Sequence, residues 1–127
     1  MFTCLIVDDS LTFLKAARTL LERQGVSVVG LATTIAEALQ RVKETRPDVT
    51  LVDIDLAGES GFDLARRLDG TTAPLADVIL MSTHAEDDFK DLIGECPTAG
   101  FLSKSQLSAT GIMDIVRAAR SRKAAGC

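Results

Sequence analysis

A doubly wound α/β fold around a five-stranded parallel sheet is predicted for this 127-residue sequence, and three observations predict it. Short apolar runs alternate with longer amphipathic segments along the chain, the pattern of strand–helix units with parallel pairing. The first, third and fourth of those runs are apolar at almost every position, as strands covered by helices on both faces must be. The length fits one domain and leaves little room for a second. Crossovers in such a fold are right-handed.

The elements follow in order. Thr3–Val7 reads as the first strand, and Asp8-Asp9-Ser10 follows it at once. Leu11–Gln24 reads as a helix, with Leu14, Ala17, Leu20 and Leu21 at helical spacing and Gly25 to end it. Val26–Leu31 is the second strand. Thr34 is placed to cap the next helix, with Glu37 three residues on as the second half of a capping box; this helix runs to about Arg46, before Pro47. Val49–Val52 is the third strand, terminating at Asp53. Gly58–Gly61 reads as a loop and Phe62–Leu68 as a short helix closed near Gly70. Val78–Met81 is the fourth strand, ending at Ser82. Ala85–Glu95 is a helix with an acidic start, as the helix dipole favours, broken by Cys96-Pro97. Ala99–Leu102 is the fifth strand, with Lys104 just beyond, and Ser108–Arg120 is the last helix. The domain is expected over 1–122, with a short basic tail over 123–127.

Composition narrows the function classes. Apolar residues make up 46% and charged residues 25%, and the net charge is −4, so nothing suggests a nucleic-acid footprint. The basic stretch Arg117–Lys123 reads as cations at a helix C-terminus, where they suit the dipole. Cys4, Cys96 and Cys127 have no paired spacing and His84 is the only histidine, which argues against zinc. No apolar run approaches the ~20 residues needed to cross a membrane, and Met1-Phe2-Thr3 leads straight into a strand without a signal peptide. A cytoplasmic protein with reduced thiols is expected.

Ligands of open α/β sheets bind beyond the carboxyl ends of the strands. There the sequence offers Asp8 and Asp9 after the first strand, Asp53 after the third, Ser82 after the fourth and Lys104 after the fifth. In the order 2-1-3-4-5, taken from flavodoxin-like sheets, these five side chains converge and the second strand, which offers only Gly30–Ala32, lies outside. Each is commonplace alone, as a cap, a turn or a solvated charge; their joint occurrence is not. Three close carboxylates repel one another unless a cation or protons intervene, and oxygen donors favour a hard ion such as Mg2+. A cation beside one lysine and one hydroxyl matches the needs of a transferring phosphoryl group. A carboxylate can accept that group, and Asp53, lying centrally, is the best candidate.

These motifs resemble the receiver domain of bacterial two-component response regulators over essentially the whole chain. They are Leu5-Ile6-Val7-Asp8-Asp9-Ser10, Val52-Asp53-Ile54-Asp55-Leu56 with Gly61 eight residues after Asp53, Ile79-Leu80-Met81-Ser82, and Gly100-Phe101-Leu102-Ser103-Lys104. The resemblance implies that Mg2+ or Mn2+ is held directly by Asp9 and Asp53, by Asp8 mostly through water, and by the backbone carbonyl of Asp55. It implies that Ser82 and Lys104 bind the phosphoryl group and that Phe101 is the switch aromatic. The implied partners are a sensor histidine kinase or histidine phosphotransfer protein and a downstream protein on the face formed by the helix over 85–95, the fifth strand and the last helix. A homodimer on activation belongs to the same expectation; direct nucleic-acid and membrane contacts do not. Asp55 and His84, two past the acceptor and two past the hydroxyl, are expected to flank the path of a hydrolytic water and set the lifetime of the phosphorylated state.

Departures from the family pattern are Leu56-Ala57 in place of Met-Pro, Thr83 in place of Ala, and Ser105 rather than Pro after the lysine, as in receivers of helix-turn-helix transcription regulators. The competing reading is an aspartyl phosphatase of the haloacid-dehalogenase type, from Asp53-Ile54-Asp55. Ala57 falls where that motif wants Thr or Val, the motif sits on the third strand, and Asp8-Asp9 would have no role. A degenerate receiver serving only as an interaction module is the third reading, and the intact constellation argues against it. The chain ends about where the receiver fold ends, so a non-enzymatic, single-domain regulator is expected, with a fragment of a longer DNA-binding regulator as the alternative.

Overall fold

The computed structural model describes residues 2–56, 58–69, 77–82 and 100–126. Five parallel strands, β1 Thr3–Val7, β2 Ser27–Ala32, β3 Val49–Asp53, β4 Asp77–Ser82 and β5 Gly100–Ser103, form one sheet in the order β2-β1-β3-β4-β5. The helices are α1 Leu11–Arg23, α2 Ile35–Thr45, α3 Gly61–Asp69 and α4 Ala109–Gly126. The predicted helix over 85–95 and the predicted break at Cys96-Pro97 lie outside the described residues.

Strand alternation divides the core in two. Cys4, Ile6, Val49, Leu51, Ile79 and Met81 pack with Leu14, Ala17 and Leu21 of α1 and Ile112 and Val116 of α4. Leu5, Val7, Val52, Val78 and Leu80 pack with Ile35 and Ala38 of α2 and Leu64, Ala65 and Leu68 of α3. The central strands are buried on both faces, as their apolar sequences require. Burial also pushes the Cys4 thiol up to about 12, which keeps it protonated and unreactive.

Helix ends follow local chemistry. Ser10 caps α1 by accepting the Phe13 N–H at 3.3 Å. At the other end the Gly25 N–H reaches the Glu22 carbonyl and the Val26 N–H reaches that of Leu21, a Schellman closure that needs the positive φ of Gly25, +89°. Thr34 caps α2 through the Glu37 N–H. The Glu37 carboxylate reaches one residue further back than a capping box predicts, to the Thr33 N–H and hydroxyl, and these bonds hold its carboxyl below the usual range. Leu20, at helical spacing with Leu14, Ala17 and Leu21, is 38% exposed. The segment expected as a plain loop holds a two-residue antiparallel ladder, Asp55–Leu56 with Glu59–Ser60. The last helix continues to Gly126, through the residues read as a basic tail.

One buried group is out of place on the α2/α3 side. Thr50 is fully buried, lies in register between Leu5 and Val78, and its hydroxyl finds no hydrogen-bond partner among the described residues. A buried unpaired hydroxyl costs roughly 1–3 kcal/mol in desolvation. Thr50→Val is therefore expected to raise unfolding stability by about 1 kcal/mol in urea, and an equal or lower stability would refute the assignment.

Candidate functional site

The sheet delivers its polar residues to one edge. As the chain leaves β1, the Asp8 N–H donates to the Ala32 carbonyl at the end of β2, 3.0 Å away. That bond turns the Asp8 side chain inward, where it is fully buried. One of its oxygens accepts the Ser10 N–H at 2.8 Å, and the other accepts Lys104 Nζ at 2.5 Å. Asp9 follows, exposed to solvent.

β3 ends on Asp53, only 7% exposed. The next N–H, of Ile54, donates to the Met81 carbonyl at 3.0 Å and so keeps β3 paired to β4 up to Asp53. Asp53 Oδ1 accepts the Asp55 N–H at 3.3 Å, and Oδ2 accepts Lys104 Nζ at 3.2 Å. The lysine comes from a 3-10 turn, Lys104–Gln106, that follows β5 directly. Its ammonium thus bridges two carboxylates from two strands while standing 4.4 Å from the centroid of the Phe13 ring.

Charge here is unbalanced. Carboxylate oxygens of Asp8, Asp9 and Asp53 lie within 4.8 Å of one another, against one ammonium. Burial, and then the charge of Asp8, push the Asp53 carboxyl above its ordinary range; Lys104 and the Asp55 N–H offset part of that. Burial works to lower Lys104, but the hydrogen bond it donates to Asp8 and the charges of Asp53 and Asp8 outweigh it and hold the ammonium above its ordinary range. The sign for stability follows. A carboxyl raised in the folded state contributes stability at acid pH that is lost as pH rises through its folded pKa. Asp53→Asn is accordingly expected to unfold at higher denaturant than the parent at neutral pH, with the difference closing toward about pH 4. A less stable variant at neutral pH would contradict this account.

Asp8, Asp9, Asp53 and Lys104 therefore come together as expected. Ser82 is buried at the end of β4, in register with Ser103. The Asp55 main chain joins the site through its N–H, while its side chain is exposed. Phe101 is half-buried, in register with Leu80 and packed against the α2/α3 core. His84 and Thr83 lie outside the described residues. Sequence reasoning missed Phe13, whose signal was its place one turn after the acidic pair on α1. It also missed Glu59, which accepts the Ile35 N–H at 3.2 Å and ties the loop after Asp53 to the start of α2; nothing local in the sequence announces that contact. Three hard oxygen donors within 4.8 Å suit a divalent cation such as Mg2+.

Comparison with known proteins agrees with this fold. The family described as the response regulator receiver domain matches residues 4–117. The response regulator GacA of Pseudomonas viridiflava is 31% identical over 121 residues, 94% of this chain and 54% of that protein. The response regulator UvrY of Escherichia coli (strain K12) is 30% identical over 105 residues, 82% of this chain and 48% of that protein. The chain thus spans about half the length of the curated relatives it matches. The signal receiver domain of a NarL response regulator from Mycobacterium tuberculosis superposes with a TM-score of 0.75 at 30% identity, covering 94% of both chains. Among the described residues no helix is long and apolar enough to cross a membrane.

Proposed function

The chain belongs to the response regulator receiver domain family, and on that premise we propose that it is a switch that accepts a phosphoryl group on Asp53. The observation that carries this reading is Asp53 itself: a buried carboxylate at the centre of the sheet's carboxyl edge, facing one ammonium and two further carboxylates. The donor is a phosphohistidine of a sensor histidine kinase or phosphotransfer protein on the cytoplasmic side. An Asp53 oxygen forms the new P–O bond as the donor's P–N bond breaks, and the departing imidazole keeps the electron pair and takes up a proton.

The chain's own residues prepare that step. The Asp55 N–H orients one Asp53 oxygen, and Lys104 holds positive charge where the phosphoryl oxygens will carry negative charge. Ser82, at the next strand end, would bond one of those oxygens. Asp8, Asp9, Asp53 and the Asp55 carbonyl would hold Mg2+ or Mn2+, which when bound supplies the charge that lets an anionic donor approach an anionic pocket. The exposed Asp55 side chain, with His84, would set how fast water removes the phosphoryl group. Lys104 leads into the turn before α4, and Phe101 lies on β5, so the surface that answers the switch is assigned to this side of the molecule, where a downstream protein or a second copy would bind.

Incubation with a small acyl phosphate donor and Mg2+ tests the reading. Asp53 is expected to gain one phosphoryl group, labile in acid and base, and Asp53→Ala to gain none. Stoichiometric labelling of that variant, or no labelling of the parent, would overturn it.

A further inference from the structure

We propose that Phe13 is a positioning residue for Lys104, its ring holding the ammonium at the acceptor when a divalent cation claims the carboxylates. This deepens the phosphoryl-acceptor reading and rests on it. Lys104 Nζ has three partners among the described residues: Asp8, Asp53 and the ring of Phe13. The first two belong to the carboxylate cluster that suits a divalent cation. A cation bound there competes for the same oxygens and repels the ammonium. The ring carries no formal charge and offers no metal ligand, so its attraction for the ammonium survives that competition. At 4.4 Å from the centroid, Nζ is well inside the ~6 Å reach of a cation–π contact, and the lysine side chain is only 14% exposed, which favours a stronger one.

The ring is itself held in place. The Phe13 N–H donates to the Ser10 cap in the first turn of α1, and the side chain packs partly buried against the α1/α4 core. Ser10 follows the acidic pair directly, so one short stretch, Asp8 to Phe13, supplies two carboxylates, the helix cap and the seat of the opposing charge. A leucine at position 13 would fill much of the same space without offering a π face.

Nuclear magnetic resonance reads this contact without any activity. The ε-methylene protons of Lys104 adjoin an ammonium seated over an aromatic ring, so they should resonate upfield of those of an exposed lysine. The upfield shift is expected in the protein alone and at saturating Mg2+, and in Phe13→Tyr under both conditions. In Phe13→Leu the 15N signal of the held ammonium is expected without Mg2+ and lost with it. The same variant is expected to bind Mg2+ no more weakly than the parent, while labelling of Asp53 slows by about tenfold; a collapsed pocket would lower both. Return of the parent's Lys104 protons to exposed-lysine values on adding Mg2+ would overturn the proposal. So would persistence of the ammonium signal in Mg2+-loaded Phe13→Leu, or a parent protein whose Asp9 and Asp53 amides do not respond to Mg2+ at all. If the parent takes no label, the phosphoryl-acceptor reading fails, while the proton shifts still decide the role of Phe13.

Discussion

Lys104→Met is expected to destabilise the unphosphorylated protein by about 3 kcal/mol at pH 7 and to leave Asp53 with almost no stable label. The magnitude comes from what the substitution leaves behind. Asp8 is fully buried and Asp53 nearly so, and Lys104 is the only cation paired with either among the described residues. Removing one partner of a buried ion pair costs roughly 3–5 kcal/mol, because the other charge stays buried without compensation. The low end applies here, since Asp9 at the same cluster is exposed and water reaches its edge.

Two signatures separate this from a packing defect, and methionine preserves most of the volume. Without the ammonium, the Asp53 carboxyl rises further above its ordinary range. Its stability contribution is then present at acid pH and lost as pH rises, so the deficit should be largest at neutral pH and shrink toward about pH 4. A divalent cation binding only the folded state should also stabilise the variant more than the parent, because it no longer competes with an ammonium. Urea unfolding at several pH values, with and without Mg2+, measures both. A deficit independent of pH and Mg2+ would mean that Lys104 acts through packing rather than charge.

The parts of the site legible in the sequence are those each strand end announces by itself. A carboxylate or an ammonium that directly follows an apolar run has nowhere to go but the carboxyl edge of the sheet, so Asp8, Asp9, Asp53 and Lys104 could be placed before any coordinates. The strand order could not be read from spacing; it was taken from flavodoxin-like sheets, and the observed order β2-β1-β3-β4-β5 agrees with it. What stayed hidden was pairing across elements. The sequence gives no hint that Lys104 spends this state bridging Asp8 and Asp53, because that depends on how far a 3-10 turn carries the chain back over the sheet edge. Helical spacing placed Leu20 with Leu14, Ala17 and Leu21, but it sits at the rim of that face and emerges into solvent. The ladder between Asp55–Leu56 and Glu59–Ser60 was invisible because two residues per strand are too few to show a period.

That ladder brings the other large effect, at Gly61. The resemblance had marked this glycine only by its distance from Asp53; the fold supplies the reason. The ladder turns the chain back so that the Gly61 N–H donates to the Ile54 carbonyl at 2.8 Å. A Cβ at Gly61 would stand 2.2 Å from the Asp53 carbonyl oxygen and 2.9 Å from both the Asp53 carbonyl carbon and Ile54 Cα. All three are backbone atoms that cannot rotate aside, so Gly61→Ala must push the end of β3 and the start of α3 apart. The expected cost is about 3 kcal/mol, at the upper end for an added methyl group. Because the displaced atoms belong to Asp53 and its neighbour, labelling of Asp53 should fall along with stability. Gly58→Ala is the contrasting case, in the same loop. Its φ of +89° disfavours a side chain, but nothing lies within 4 Å of the added carbon, so only the left-handed backbone is strained, by roughly 1–2 kcal/mol, and labelling should stay near the parent rate. Equal losses in the two variants would show that backbone strain alone governs this loop. A Gly61→Ala protein as stable as the parent, labelling at the parent rate, would show that the close approach to Asp53 imposes nothing.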